Sequence, residues 1–549
     1  MSKPDSPQKG GAYQAAGRTQ DAIAILERLL ADQRRNLDAE HPNTLLTRNN
    51  LANAYQAAGR TRDAIGALEP LLADLERILG AEHLNTLLIR GNLANAYQAA
   101  GRTNDSIGIL EPLLADRARI VGAEHPDALA NRGSLANAYQ AAGRTTDAIA
   151  IFEPLLADLE RVLGAEHPNT LSTRGNLANA YQVVGRAGDA IAIYEPLLAD
   201  HERTLGAEHP TTLLTRNNLA NAYQAAGRTQ EAITIYEPLL ADRDRILGAE
   251  HPNTLNTRNN LANAYQDAGR TEEAIAIFEP LLVERERILG ADHPDTLASR
   301  DNLAGAHQAA RRAGDAIAIL EPLLEDRERI LGADHPDTLA SRGNLANAYQ
   351  AAGRTYDAVT ILEPLITDLE RVLGADHPDT LATRGHLAHA YQSAKRHDDA
   401  IAILEPLVAD RERSLGAEHP HTLRGRQSLA KAYDLGGRTE DAIPVLEPLV
   451  ADQERILGAD HANTLGSRQS LANAYQDTGR TEDAIAVYEP LLADLERTLG
   501  ADHANTQNTR NNLVIAYEDL GRRDDADRIA TSPEDGVGPD DGAAAADWS

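Results

Sequence analysis

The tyrosine of LANAYQAAGRTRD, Leu51 to Asp63, returns at a spacing of 42 residues: Tyr55, Tyr97, Tyr139, Tyr181, Tyr223, Tyr265, Tyr349, Tyr391, Tyr433, Tyr475 and Tyr517. Tyr13 stands ahead of this column, and His307 fills the one slot without a tyrosine. Self-similarity at a fixed period of this length is the mark of a solenoid, in which one small unit recurs and each copy buries its apolar face against its neighbours. The 549 residues therefore count repeats, not globular domains.

Each unit reads as two helices. Pro42 gives a rigid entry, and Asn43 and Thr44 bring side chains able to cap free N–H groups. Leu45, Leu51, Ala52 and Tyr55 then share one face at three- and four-residue spacing, defining an A helix that Gly59 is suited to close with a left-handed turn. A B helix is expected to open on Thr61 and Asp63, cap and dipole partner. It runs through Ala64, Ile65, Leu68, Leu71, Leu72, Leu75, Ile78 and Leu79 and stops at Gly80. Inside it lies a recurrent Glu-Pro pair, first at Pro70, at a cost of about 3 kcal/mol relative to a good helix former. The proline falls on the face away from Leu68, Leu71 and Leu75, so the spacing predicts a B helix kinked around the core.

Period and pairing resemble the tetratricopeptide repeat, with Leu51, Ala52, Tyr55, Ala64 and Leu68 in the places of that motif's pattern. The 42-residue length and the loop LGADHPDTL, Leu331 to Leu339, look like the repeats of kinesin light chains. This resemblance implies an all-α, right-handed superhelical solenoid of about thirteen helix-turn-helix units over residues 12–530. Its first unit is truncated at Ala12-Tyr13, and its last is a short cap near Arg523 to Ile529. Composition makes 1–11 a disordered N-terminal segment and 531–549 a disordered acidic tail. No heptad coiled coil precedes the repeats, and no Gly-rich stretch ends in Gly-Lys-Ser/Thr.

With 83 acidic against 53 basic residues the net charge is -30. Such a field disfavours nucleic acid phosphates and anionic lipid and points to protein partners. The abundance of Ala, Arg, Asp and Gly beside very few lysines points to a high-GC, bacterial source. Cysteine is absent, which removes disulfides, thiol nucleophiles and thiolate metal sites. No run of 18 apolar residues and no signal-like start appear, so no membrane role is expected and the expected location is cytoplasmic.

In the family that the repeats resemble, A helices line a concave groove and hold extended peptides, often through asparagine amides that bond a main chain of any sequence. The matching positions are Asn50, Asn92, Asn176, Asn218, Asn260, Asn302 and Asn344 and, one turn on, Asn53, Asn95, Asn137, Asn179, Asn221, Asn263 and Asn347. Bonds among these amides between repeats are an equally open role for them. The groove changes character between His386 and Asp434, where His386 and His389 replace asparagines, Arg424 and Gln427 appear, and Lys431 replaces another. This electropositive stretch, 386–431, is a candidate anchor for an acidic peptide.

The arginine columns from Arg48 to Arg510 and from Arg60 to Arg522 are expected to pair with B-helix and loop carboxylates. The histidine column beginning at His41 lacks the convergent ligands that zinc needs, so hydrogen bonding in the loop is expected. Protonating all 18 histidines would move the charge from -30 to -12, which predicts pH dependence near pH 6. Asp301, Gly305 and His307 mark a second break in the pattern.

No nucleophile motif, phosphate loop or metal-binding helix motif occurs, and neither catalysis nor a cofactor is expected. The reading is a non-enzymatic scaffold binding peptides or partner proteins. The alternatives are a self-assembling solenoid that stacks end to end and the sensor arm of a multi-component signalling system.

Overall fold

The computed structural model describes residues 19–530. The expected segment 1–11, the entry at Ala12-Tyr13 and the tail 531–549 lie outside the described residues. Among the described residues there are 25 helices and no strands. A helices of 16 residues, such as Pro42–Ala57 and Pro126–Ala141, alternate with B helices of 18 or 19, such as Thr61–Leu79 and Thr103–Ile120.

Contacts divide the chain into two units, Met1–Ile277 and Phe278–Ser549. In the first, Leu68, Leu71 and Leu75 of one B helix pack with Ile89, Leu93 and Ala96 of the following A helix. In the second, the same positions form a core that runs from Leu297 to Ala526, with Leu465, Leu491 and Leu495 as a separate cluster. Packing is mainly between a helix and the one before or after it, with lesser contact between the A helices of successive repeats, as a repeat array requires.

The A-helix cap is not the one expected from Asn43 and Thr44. His41 occupies the N-cap, and its Nδ1 accepts from the backbone N–H of Asn43 at 3.2 Å. The same bond recurs at His83, His125, His167, His209 and onward to His503. The column thus serves the loop, with a ring nitrogen taking the place usually held by a Ser, Thr, Asn or Asp oxygen. Thr44 is buried at the same loop, where its hydroxyl donates to Asp38 O at 3.2 Å.

The B-helix cap also differs from expectation. Arg60 is the N-cap and makes no side-chain cap bond, and Thr61 lies inside the helix. Asp63 instead accepts from Arg60 Nε at 2.7 Å, because the arginine outcompetes the backbone for that carboxylate. Gly59 takes φ +70°, the left-handed closure expected of it, and Gly80, where the B helix is expected to stop, is its C-cap at φ 88° and ψ 161°. Arg311 and Lys395 hold the Gly59 position of their repeats at φ 57° and 60°. The B helix runs unbroken through Pro70, which is exposed, away from Leu68, Leu71 and Leu75. Ile78 and Leu79 lie outside the core, 36% and 39% exposed.

The tyrosine column accounts for the glutamate of the Glu-Pro pair. Tyr97 Oη donates to Glu69 Oε1 at 2.6 Å, and Tyr181 does the same to Glu153. Burial, then the Glu153 carboxylate, pushes the Tyr181 phenol up to about 12. Arg102 lies over the Tyr97 ring at 4.2 Å while its Nε holds Asp105 at 2.6 Å, so one tyrosine anchors two helices and an arginine.

The other arginine column bridges repeats. Arg174 bonds Glu160 of the preceding B helix at 2.7 Å and Asp200 of the following one at 3.0 Å. Arg203 joins Asp200 at 3.0 Å, which makes networks rather than isolated pairs.

His201 carries a pH prediction. It is buried, its Nδ1 lies 3.0 Å from Thr215 Oγ1, and burial pushes its pKa below the ordinary histidine value, reinforced by His209 and opposed by Asp200. The unfolded chain therefore binds more protons than the folded one just below pH ~6.5, and stability falls as pH drops through that window. The thermal midpoint should be several degrees lower at pH 5.5 than at pH 7.5; an equal or higher midpoint contradicts the assignment.

Candidate functional site

Between successive A helices, four side-chain positions share a groove. In the second unit, Ala462–Asp477 and Ala504–Asp519 bound a cavity of about 1040 Å³, with Gln469, Asn473, Asn508, Asn511 and Asn512 on its polar side and Leu465 and Leu495 on its apolar side. Asn473 and Asn512 hold the repeat positions of Asn53 and Asn50, so those two columns face the groove.

The asparagines are tied to one another across repeats. Asn92 Nδ2 donates to Asn49 Oδ1 at 3.0 Å, Asn176 to Asn137 at 3.0 Å, and Asn260 to Asn221 at 3.2 Å. Gln56 and Gln182 donate to the backbone oxygens of Asn92 and Asn218, and Gln308 to that of Asn344. Asn50, Asn53, Asn218, Asn263, Asn344 and Asn347 are half-buried, and Asn95 and Asn179 exposed. Each amide has two donors and two acceptor lone pairs, and one inter-repeat bond leaves capacity on the open side.

The electropositive positions fall on two neighbouring A helices, Pro378–Ser393 and Pro420–Leu435. His386, His389, Arg424 and Lys431 are exposed and Gln427 half-buried. Arg424 and Gln427 line a cavity of about 210 Å³ with Gln453, Leu457 and Asn463. Partial enclosure, then His389 and Arg411, push the His386 pKa down; enclosure, Arg411, His419 and Arg424 do the same at His421. Among the described residues no group of three or more His, Cys, Asp or Glu is placed to hold a metal ion.

Sequence reasoning missed one column. Among the described residues the B-helix position of Leu75 is occupied by Gln33, Arg117, His201, Arg243, Arg285, Arg327, Arg411 and Gln453, all buried, and elsewhere by leucine. Arg243 shows how a guanidinium is accommodated: it donates to Asn217 Oδ1 at 3.3 Å, Asn253 O at 3.0 Å, Thr257 Oγ1 at 2.5 Å and Leu213 O at 3.2 Å. Arg327 bonds Asp301 at 3.2 Å and also reaches Ser341. The signal was in the sequence as arginine recurring in place of a core leucine.

The break at Asp301 and His307 has a structural reason on one side. Asp301 supplies the carboxylate for Arg327 and accepts from Asn344 at 3.1 Å, and His307 is buried in the tyrosine slot.

A family model described as "Tetratricopeptide repeat" matches residues 6–73, 126–195, 172–241, 215–282, 301–367, 343–405, 379–451 and 460–531, and a second with that description matches 86–127. The chain belongs to the tetratricopeptide repeat family. Its repeats are similar to those of a putative kinesin light chain from Podosopora anserina with nearly identical TPR-like repeats: 35% identity over 38% of this chain and 98% of that one, TM-score 0.36. The quorum sensor NprR from B. thuringiensis, in its apo form, is similar at 17% identity over 66% of this chain and 97% of that one, TM-score 0.48. BtubC (BKLC) from P. vanneervenii is similar at 19% identity over 43% and 99%, TM-score 0.32. No curated protein matches. Tetratricopeptide arrays are interaction modules that bind protein partners, and this fold is typically non-enzymatic. No helix among the described residues of this tetratricopeptide array is long and apolar enough to cross a membrane.

Proposed function

We propose that this array is a cytoplasmic scaffold, without an enzymatic centre of its own, that holds an extended acidic segment of a partner protein along its A-helix amides and anchors it between His386 and Lys431. One observation carries the reading. In a chain of net charge -30, where arginine after arginine is matched to a carboxylate, Arg424 and Lys431 stand exposed with no ion pair to a described carboxylate. Uncompensated cations on a groove wall attract an anionic partner, while amides of the Asn50 and Asn53 columns suit its main chain.

Fluorescence anisotropy with a peptide library tests this. Acidic peptides should bind the intact chain and bind at least tenfold more weakly to a variant carrying His386→Asn, His389→Asn, Arg424→Ala and Lys431→Asn. Binding unchanged by those substitutions contradicts the anchor. No binding to either protein turns the reading toward end-to-end assembly, which light scattering against concentration would register.

A further inference from the structure

The groove between Ala462–Asp477 and Ala504–Asp519 is open where the groove before it is filled. Its cavity of about 1040 Å³ compares with about 210 Å³ one repeat earlier, between Pro420–Leu435 and Ala462–Asp477. The two cavities share lining positions, and at one of them Gly466 stands in the place of Arg424. From Leu46 to Asn508 this A-helix position holds leucine, alanine, serine, asparagine or arginine, and glycine only at 466. A Cβ on Gly466 would meet nothing within 4 Å, so the missing side chain is open space.

The cavity has an apolar floor and neutral walls. Leu465 and Leu495 are buried with Leu491 in a cluster of their own, and Leu499 packs against it. Asn505, Asn508 and Asn511 stand exposed on one wall, amides that both donate and accept. The lining carboxylate, Asp460, is held by Arg497. Such a lining suits a broad apolar group with one polar edge. An indole is such a group: it buries about 150–250 Å², and its N–H takes an acceptor.

The chain carries one indole, that of Trp548. The last described B helix, Arg523–Ala530, has 8 residues where Thr481–Leu499 has 19, and it packs on Ala504–Asp519, a wall of the cavity. Trp548 follows Ala530 by eighteen residues. An unconstrained chain of that length spans about 21–25 Å, against about 8–10 Å between the axes of helices in contact. The intervening sequence is acidic, with Glu534, Asp535, Asp540 and Asp541 and no lysine or arginine. Arg510, on the same wall helix, has a place for one of these carboxylates. Arg426 pairs with Glu412 and, 26 residues on, with Asp452. Among the described residues Arg510 pairs with Glu496 alone, and the position corresponding to Asp452 is Gly536.

We propose that residues 531–549 dock on their own array, with the Trp548 indole in the cavity beside Gly466 and an acidic residue of 534–541 at Arg510. The tether makes the tail an intramolecular ligand at an effective concentration on the order of millimolar, so a weak site is filled. The docked tail closes this groove to other partners. The proposal does not rest on the acidic-segment reading, whose anchor at 386–431 lies on two other A helices.

A single tryptophan lets fluorescence of the full chain read its own tail. Acrylamide should quench Trp548 at least threefold less in the intact chain than in the synthetic peptide 531–549, with emission shifted to the blue. Two variants narrow the cavity with side chains the array already carries at this position: Gly466→Leu, as at Leu214, and Gly466→Asn, as at Asn256. Each removes a glycine from a helix interior, so neither lowers helix propensity, and circular dichroism checks the fold. Both should raise quenching to the level of the peptide, whereas Ala340→Leu, the same position in another groove, should leave the shielding intact. Quenching in the intact chain equal to that of the peptide overturns the proposal. Shielding that survives both Gly466 variants places the tail elsewhere and overturns it too. Shielding lost on dilution would mean the cavity of a second copy, which contradicts docking within one chain.

Discussion

Asp301→Leu should destabilise the second unit by about 3 kcal/mol, whereas Arg327→Leu should leave it unchanged or more stable. The asymmetry follows from which partner is left behind. Arg327 is buried, and Asp301, 3.2 Å from its Nη1, is the carboxylate that compensates it. Removing the aspartate strands a guanidinium in low dielectric and also breaks the bond from Asn344. Removing the arginine instead puts a leucine where Leu75, Leu159, Leu369 and Leu495 already pack, and leaves an aspartate that reaches solvent. Urea denaturation of the three proteins measures the difference. Equal losses from the two substitutions would mean that the pair is worth its attraction and that burial of the cation costs little.

Phe152→Ala should cost about 3–5 kcal/mol. The ring is fully buried in the helix Thr145–Leu163, where the array also uses Leu68, Leu110, Tyr194 and Tyr236. Because each repeat contacts chiefly its neighbours, the loss should appear as local opening of that helix and the two flanking it, while amides toward Leu45 keep their protection. Native-state hydrogen exchange reads this helix by helix. Uniform loss of protection across the first unit would contradict local accounting and indicate one cooperative block.

The repeat, the two-helix unit and the core columns were legible in the sequence because period and hydrophobic spacing fix which faces meet. Leu68, Leu71 and Leu75 are in the core where the pattern puts them, and the Arg48 column pairs with carboxylates as its regularity implied. The caps were misread for a specific reason. Asn43 and Thr44 carry good capping groups, but His41 sits one residue before Pro42, in extended backbone at φ -60° and ψ 136°, and its ring nitrogen takes the N–H first. Propensity ranks residue types, whereas the bond goes to the side chain whose backbone places it at the N-cap. The buried arginine column escaped notice because arginine usually marks a surface, although its recurrence in the place of a core leucine was there to read; Arg243 and Arg411 are buried on their B helices.

The candidate site divides the same way. Columns on A helices followed from the motif, and the groove between Ala462–Asp477 and Ala504–Asp519 brings those columns together.

The central claim, that a partner's acidic segment lies against the A helices, is tested most directly by site-specific photocrosslinking. A photoreactive residue is placed at His389, exposed on the A helix Pro378–Ser393, and in a second protein at Val283, 67% exposed on the B helix Thr271–Leu289. With a bound acidic peptide the account predicts an adduct at position 389 and none at 283. An adduct at 283 alone, or equal adducts at both positions, would place the partner on the wrong face and contradict it.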